Sequence, residues 1–107
     1  MATDFAVSPS RIIVNQSSQS IGDRTDTITI RHKNSVPFTI ESVITSLPGS
    51  TIVSIGYNNT LVDEHEIIVV TNFSENLGDP YHVHNIEIEI KCDDVTTVLI
   101  VPFLSSR

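Results

Sequence analysis

His82 and His84 come nearest to a chemical site in this sequence. Two residues apart on an extended chain, they fall on one face, the geometry with which a His-x-His pair grips zinc or copper. Such a site needs a third ligand. His32, His65 or an aspartate would serve, and nothing in their spacing brings them near. The competing reading has one or both histidines lining a partly exposed strand end and bonding locally. Cys92 is the lone cysteine, so an internal disulfide is excluded. It continues the parity of Ile86, Ile88 and Ile90, which reads as a small buried hydrophobe. The adjacent Asp93 and Asp94 disfavour a thiolate nucleophile. Serine, histidine and aspartate all occur, but no Gly-x-Ser-x-Gly elbow does. No catalytic residue and no cofactor is assigned, and His82 and His84 are metal candidates only.

The remaining polar clusters have simpler readings. Glu87 and Glu89 lie on an outward strand face, where they supply solubility and guard against aggregation rather than acid–base chemistry. Asp63-Glu64 and Asp93-Asp94 read as turns, since neither lies in a loop rich in spaced oxygen donors for calcium. Asn15-Gln16-Ser17, Asn58-Asn59-Thr60 and Asn72-Phe73-Ser74 match the glycosylation sequon, which matters only in a secretory eukaryotic host.

Positioning falls to strands. Asn85 to Cys92 alternates apolar and polar residues without a break, and a period of two means one buried and one wet face. Shorter copies recur at Asp26–Arg31, with Ile28 and Ile30 inward, and at Phe38–Ile40. The apolar parity then shifts from Ile40 to Val43, predicting a bulge near Glu41-Ser42. Phe5–Val7 and Ile12–Val14 flank Ser8-Pro9-Ser10, which suits an edge strand that breaks and changes partner. Residues 51–57 read as a short strand ended by Gly56-Tyr57-Asn58-Asn59. The apolar run within Glu66–Thr71 predicts a strand covered more fully than its neighbours. Residues 82–92 form the longest strand, and Asp93-Asp94 turns the chain into residues 95–103. Pro102 there implies an edge position or a bulge. No useful segment shows a 3.6-residue period. The expectation is one domain over residues 1–107: an all-β, antiparallel sandwich of seven to eight strands.

Composition limits the partners. Thirteen acidic against six basic residues give a formal net charge of −7, which repels phosphate backbones and anionic lipid. Nucleic-acid binding and membrane insertion are therefore not expected, and no apolar run reaches the roughly 18 residues a spanning helix needs. A chain of 107 residues buries roughly two-thirds of its unfolded surface, so its core suffices without disulfides.

The order of these features resembles a known family. Val7-Ser8-Pro9-Ser10-Arg11-Ile12, then Val36-Pro37-Phe38-Thr39-Ile40-Glu41-Ser42-Val43, a glycine loop at Gly78, and the ending Ile100-Val101-Pro102-Phe103 carry the likeness. They resemble the immunoglobulin-like sandwiches of the hydin and major-sperm-protein type, particularly those of bacterial secreted and envelope proteins. Many bacterial relatives carry Cys-Gly-Cys after the third strand. The matching stretch here is Thr45 to Ser50 and has no cysteine, so no redox or metal role carries over. The resemblance implies a non-enzymatic structural or interaction module of a larger extracytoplasmic protein. Its partners would be another protein or neighbouring domains, held by loops 16–24, 46–50 and 74–80 or by strand edges near Pro9 and Pro102. A carbohydrate-binding module is the remaining rival. With no tryptophan, it would depend on Tyr57 and Tyr81 to stack on sugars.

Overall fold

The computed structural model describes residues 4–15, 23–47, 52–72 and 81–106. Eight strands follow one another: β1 (Phe5–Ser8), β2 (Ile12–Asn15), β3 (Asp23–His32), β4 (Thr39–Thr45), β5 (Ile52–Leu61), β6 (Glu64–Asn72), β7 (Tyr81–Cys92) and β8 (Val95–Ser106). They form two four-stranded sheets, β1-β3-β6-β5 and β2-β8-β7-β4. Among the described residues there is no α-helix. Residues 16–22, 48–51 and 73–80, on which most of the expected binding loops and the expected glycine loop at Gly78 fall, lie outside the described residues.

Alternation becomes burial. Ile28, Ile30, Ile67, Ile86, Ile88 and Ile90 are fully buried between the sheets. Burying each contributes about 1.5–3 kcal/mol relative to leaving it in water. Val14, Val69, Val101 and Phe103 complete the central layer. β6 lies between β3 and β5, and no residue of it is fully exposed, which accounts for its unbroken apolar run.

Pro9 divides one ribbon between the layers. β1 pairs with β3 in the first sheet, and β2 pairs with β8 in the second. The break and change of partner are as the sequence predicts. The β2–β8 pairing is parallel, however, so the sandwich is not wholly antiparallel. The bulge also falls where the parity shift puts it. The β4–β7 register jumps between Ile40 and Ser42, leaving Glu41 unpaired and outward.

The expected end of β5 fails for a clear reason. Gly56-Tyr57-Asn58-Asn59 does not end β5, because Gly56, Tyr57 and Asn58 pair with Ile68, Ile67 and Glu66, and the strand runs on to Leu61. Pairing with β6 through Asn58, resumed at Leu61 after a register shift, overrides the weak local turn signal. Pro102 lies in no bulge. Although β8 sits between β2 and β7, the β2 ladder covers only Phe103–Ser106, so Pro102 falls on the stretch of β8 whose outer edge is unpaired, as the sequence predicts. Asp93 and Asp94 both have positive φ, at 50° and 62°, and form a two-residue hairpin turn closed by Cys92 and Val95. Counting the antiparallel ladder from that hydrogen-bonded pair makes Asn85–Pro102 a non-hydrogen-bonded one. The missing N–H therefore costs β7 nothing, and β2 begins pairing only at Phe103. β8 also equals β7 in length, at 12 residues each.

Candidate functional site

The structure separates the histidines. β3 carries its inward parity from Ile28 and Ile30 to His32, and β6 carries His65, Ile67 and Val69 inward. His32 and His65 are therefore core residues at one end of the sandwich, 5% and 2% exposed. Phe5 and Phe38 lie between them. His32–Phe5, Phe5–Phe38 and Phe38–His65 are edge-to-face pairs with centroids 5.1, 5.1 and 4.5 Å apart. Such contacts each add about 0.5–1.5 kcal/mol beyond area burial.

Both imidazoles also bond to backbone. His32 Nδ1 accepts the Asn34 N–H at 3.0 Å, capping the turn after β3. His65 Nε2 donates to the Phe38 carbonyl at 2.5 Å. His65 Nδ1 is buried with no hydrogen-bond partner among the described residues. Close by, the His32 N–H donates to the Asp63 carbonyl and the Phe38 N–H to the Val62 carbonyl, so the β5–β6 turn ties the two sheets together. The period-two pattern held the signal for this cluster, because both histidines continue isoleucine parities.

Cys92 borders the same end. It is partly buried, and its thiol faces the Pro37 carbonyl at 3.5 Å. Burial first, and the Asp93 carboxylate second, hold the thiol above its ordinary pKa, the reverse of what an activated nucleophile needs. With Asp4, Phe5, His32, Asp93 and Val95 it lines a cleft of about 160 Å³ between β1 and the start of β8.

His84 stands at the opposite end, on the inward parity of β7 and eight residues from Cys92. That is about 26 Å at ~3.3 Å per residue. His32 and His65 therefore cannot complete a metal site with His84, which removes two of the expected third ligands. The His82 side chain lies outside the described residues. Among the described residues no group of three histidines, cysteines or acidic residues could hold a metal ion.

The contacts of His84 are those of a turn. Its Nδ1 lies 3.4 Å from Ser46 Oγ, which accepts the Asn85 N–H at 3.1 Å. The Thr45 hydroxyl and the Ser46 N–H both donate to the Asn85 carbonyl. A serine nucleophile is activated through Nε2, with Nδ1 turned to an acid. Ser46 meets the other nitrogen, so this pair fastens the end of β4 to β7. Tyr57 is exposed, but its hydroxyl donates to the Glu41 carbonyl at 3.4 Å, bridging β5 to the bulge of β4. The Tyr81 side chain lies outside the described residues.

The outer face of the second sheet has a different character. Ile13 on β2, Val98 and Ile100 on β8, Val83 on β7 and Ile44 on β4 are all at least half exposed. Ile13 pairs with Leu104, and Leu104 with Val83, so one apolar row crosses three strands.

No protein-family model matches the chain, and no curated protein matches it. Among solved structures it resembles the Vibrio cholerae VesB protease, with a TM-score of 0.64 and 12% sequence identity. The likeness is one of fold. It covers 97% of this chain and 32% of that one, so the chain spans about a third of the length of the protease.

Proposed function

We propose that this chain is a non-enzymatic, immunoglobulin-like sandwich domain of the hydin and major-sperm-protein type, serving as a structural or protein-interaction module of a larger protein. The observation that carries the reading is the outer face of the second sheet, where Ile13, Ile44, Val83, Val98 and Ile100 stay in contact with water. Glu87 and Glu89 of β7 separate Ile44 from Ile100 and Val98 on this face. Its continuous apolar part is the Ile13–Leu104–Val83 row with Ile100 further along β8, and exposed apolar surface of this kind is characteristic of interaction sites. The sheet orders support the immunoglobulin-like assignment. With β2 taken as a detached part of the first strand, β1-β3-β6-β5 follows the order A-B-E-D, and β8-β7-β4 follows G-F-C. The same architecture within a chain about three times as long supports a modular role. The partner is a protein or a neighbouring domain, because a net charge of −7 opposes nucleic acid and anionic lipid. By the family resemblance, the compartment is extracytoplasmic.

The test places a photo-crosslinking residue at position 44 of the protein expressed in its host. Crosslinks to one discrete protein or to a flanking domain are expected. A substrate screen revealing turnover abolished by H82A, H84A or C92A would overturn the reading.

A further inference from the structure

The register leaves part of one strand edge open. β7 pairs with β8 along its whole length, whereas β2 pairs only with Phe103–Ser106. Among the described residues no strand pairs with Val95–Val101 on the side away from β7. Counted from the Cys92–Val95 pair, the residues hydrogen-bonded to β7 are Val95, Thr97, Leu99 and Val101. Thr96, Val98 and Ile100 therefore direct their N–H and C=O groups outward, and Val98 and Ile100 are half exposed. Strand edges are ordinarily guarded by charge or proline. Neither occurs between Val95 and Val101.

We propose that this edge accepts an extended basic peptide segment of a partner protein, added as an antiparallel strand beside β8. The proposal deepens the protein-interaction reading and rests on it. Main-chain bonds to Thr96, Val98 and Ile100 supply affinity, and alternate side chains supply choice. Outward side chains of the peptide extend the row formed by Val98 and Ile100. Inward ones enter the cleft that Asp4, Phe5, Asp93 and Val95 line at the turn end of the strand. Two carboxylates beside an apolar wall select a lysine or arginine, whose stem packs while its head meets the charge. A second copy of the chain fits worse, because two bodies of net charge −7 would be brought edge to edge.

The probe is acetyl-Val-Thr-Val-Lys-Thr-Lys-amide, followed by amide NMR of the whole chain. In the free protein the Thr96, Val98 and Ile100 amides exchange at least tenfold faster than Thr97, Leu99 and Val101. The peptide shifts the three fast amides saturably and slows their exchange. Its counterpart with glutamate in place of both lysines binds at least tenfold more weakly. I100P removes an N–H that faces away from β7, as Pro102 already does, and abolishes binding. D93N, which suits the turn, weakens the lysine peptide at least threefold, a check independent of I100P folding. Uniform protection along β8, no saturable shift at millimolar peptide, equal binding of the glutamate peptide, or a dimer that already protects β8 would each overturn the proposal. Crosslinking at position 44 is read on another strand, so the module reading fails or survives separately.

Discussion

Phe38 and His65 hold one another twice: their rings meet edge to face at 4.5 Å, and the His65 Nε2–H bonds the carbonyl of Phe38 itself at 2.5 Å. One residue stands immediately before β4 and the other on β6, so the pair joins the two sheets. H65L keeps an apolar filling and leaves the buried carbonyl without its donor. It should lower unfolding free energy by about 1–3 kcal/mol in urea titrations. F38A removes the ring and should cost about 3–5 kcal/mol. A change under 0.5 kcal/mol in both would mean that the ring chain is not structural.

The Asp93-Asp94 turn invites improvement. Both residues adopt the left-handed conformation, which Asn-Gly adopts with less strain. Replacing the pair by D93N and D94G should raise stability by up to ~1 kcal/mol. Thermal melting would register it as a higher midpoint, with the strand signal in circular dichroism unchanged.

Gly56 occupies the interior of β5, with a φ outside the left-handed region and open space where a Cβ would stand. A glycine there gives up side-chain packing and retains excess freedom in the unfolded chain. G56T should stabilise by about 0.5–1 kcal/mol. A loss of stability in chemical denaturation would show that the position is constrained after all.

The thiol of Cys92 gives a pH dependence of definite sign. Its pKa is raised in the folded protein by burial and then by Asp93, so the folded form keeps its proton where the unfolded chain has released it. The stabilising contribution is whole below the ordinary thiol value and is lost as pH rises through the raised one. Wild type should therefore lose melting temperature between pH 8 and about 10 more steeply than C92S. Alkylation at pH 8 should also run slower on the folded protein than on the same chain in urea.

Much of this fold is written in period-two alternation. Ile28, Ile30, Ile86, Ile88 and Ile90 declare their buried face, the slip from Ile40 to Val43 declares the bulge, and Pro9 declares the switch of sheets. Pairing partners are less legible. Gly56–Asn59 reads as a turn because nothing local reveals β6 alongside it, whereas Pro102 does mark the edge that the four-residue β2 leaves open on β8. The candidate site was harder still. His82 and His84 draw notice by proximity in sequence, whereas His32 and His65, 33 positions apart, meet through two phenylalanines only once the sheets close.

The divided opening ribbon has a mechanical consequence. β2 and β8 run side by side in the same direction, so tension drawing the start of β2 away from the finish of β8 loads every bond between them together, in shear. A pair of opposite sense would instead peel bond by bond, and four parallel rungs therefore form a clasp against stretching.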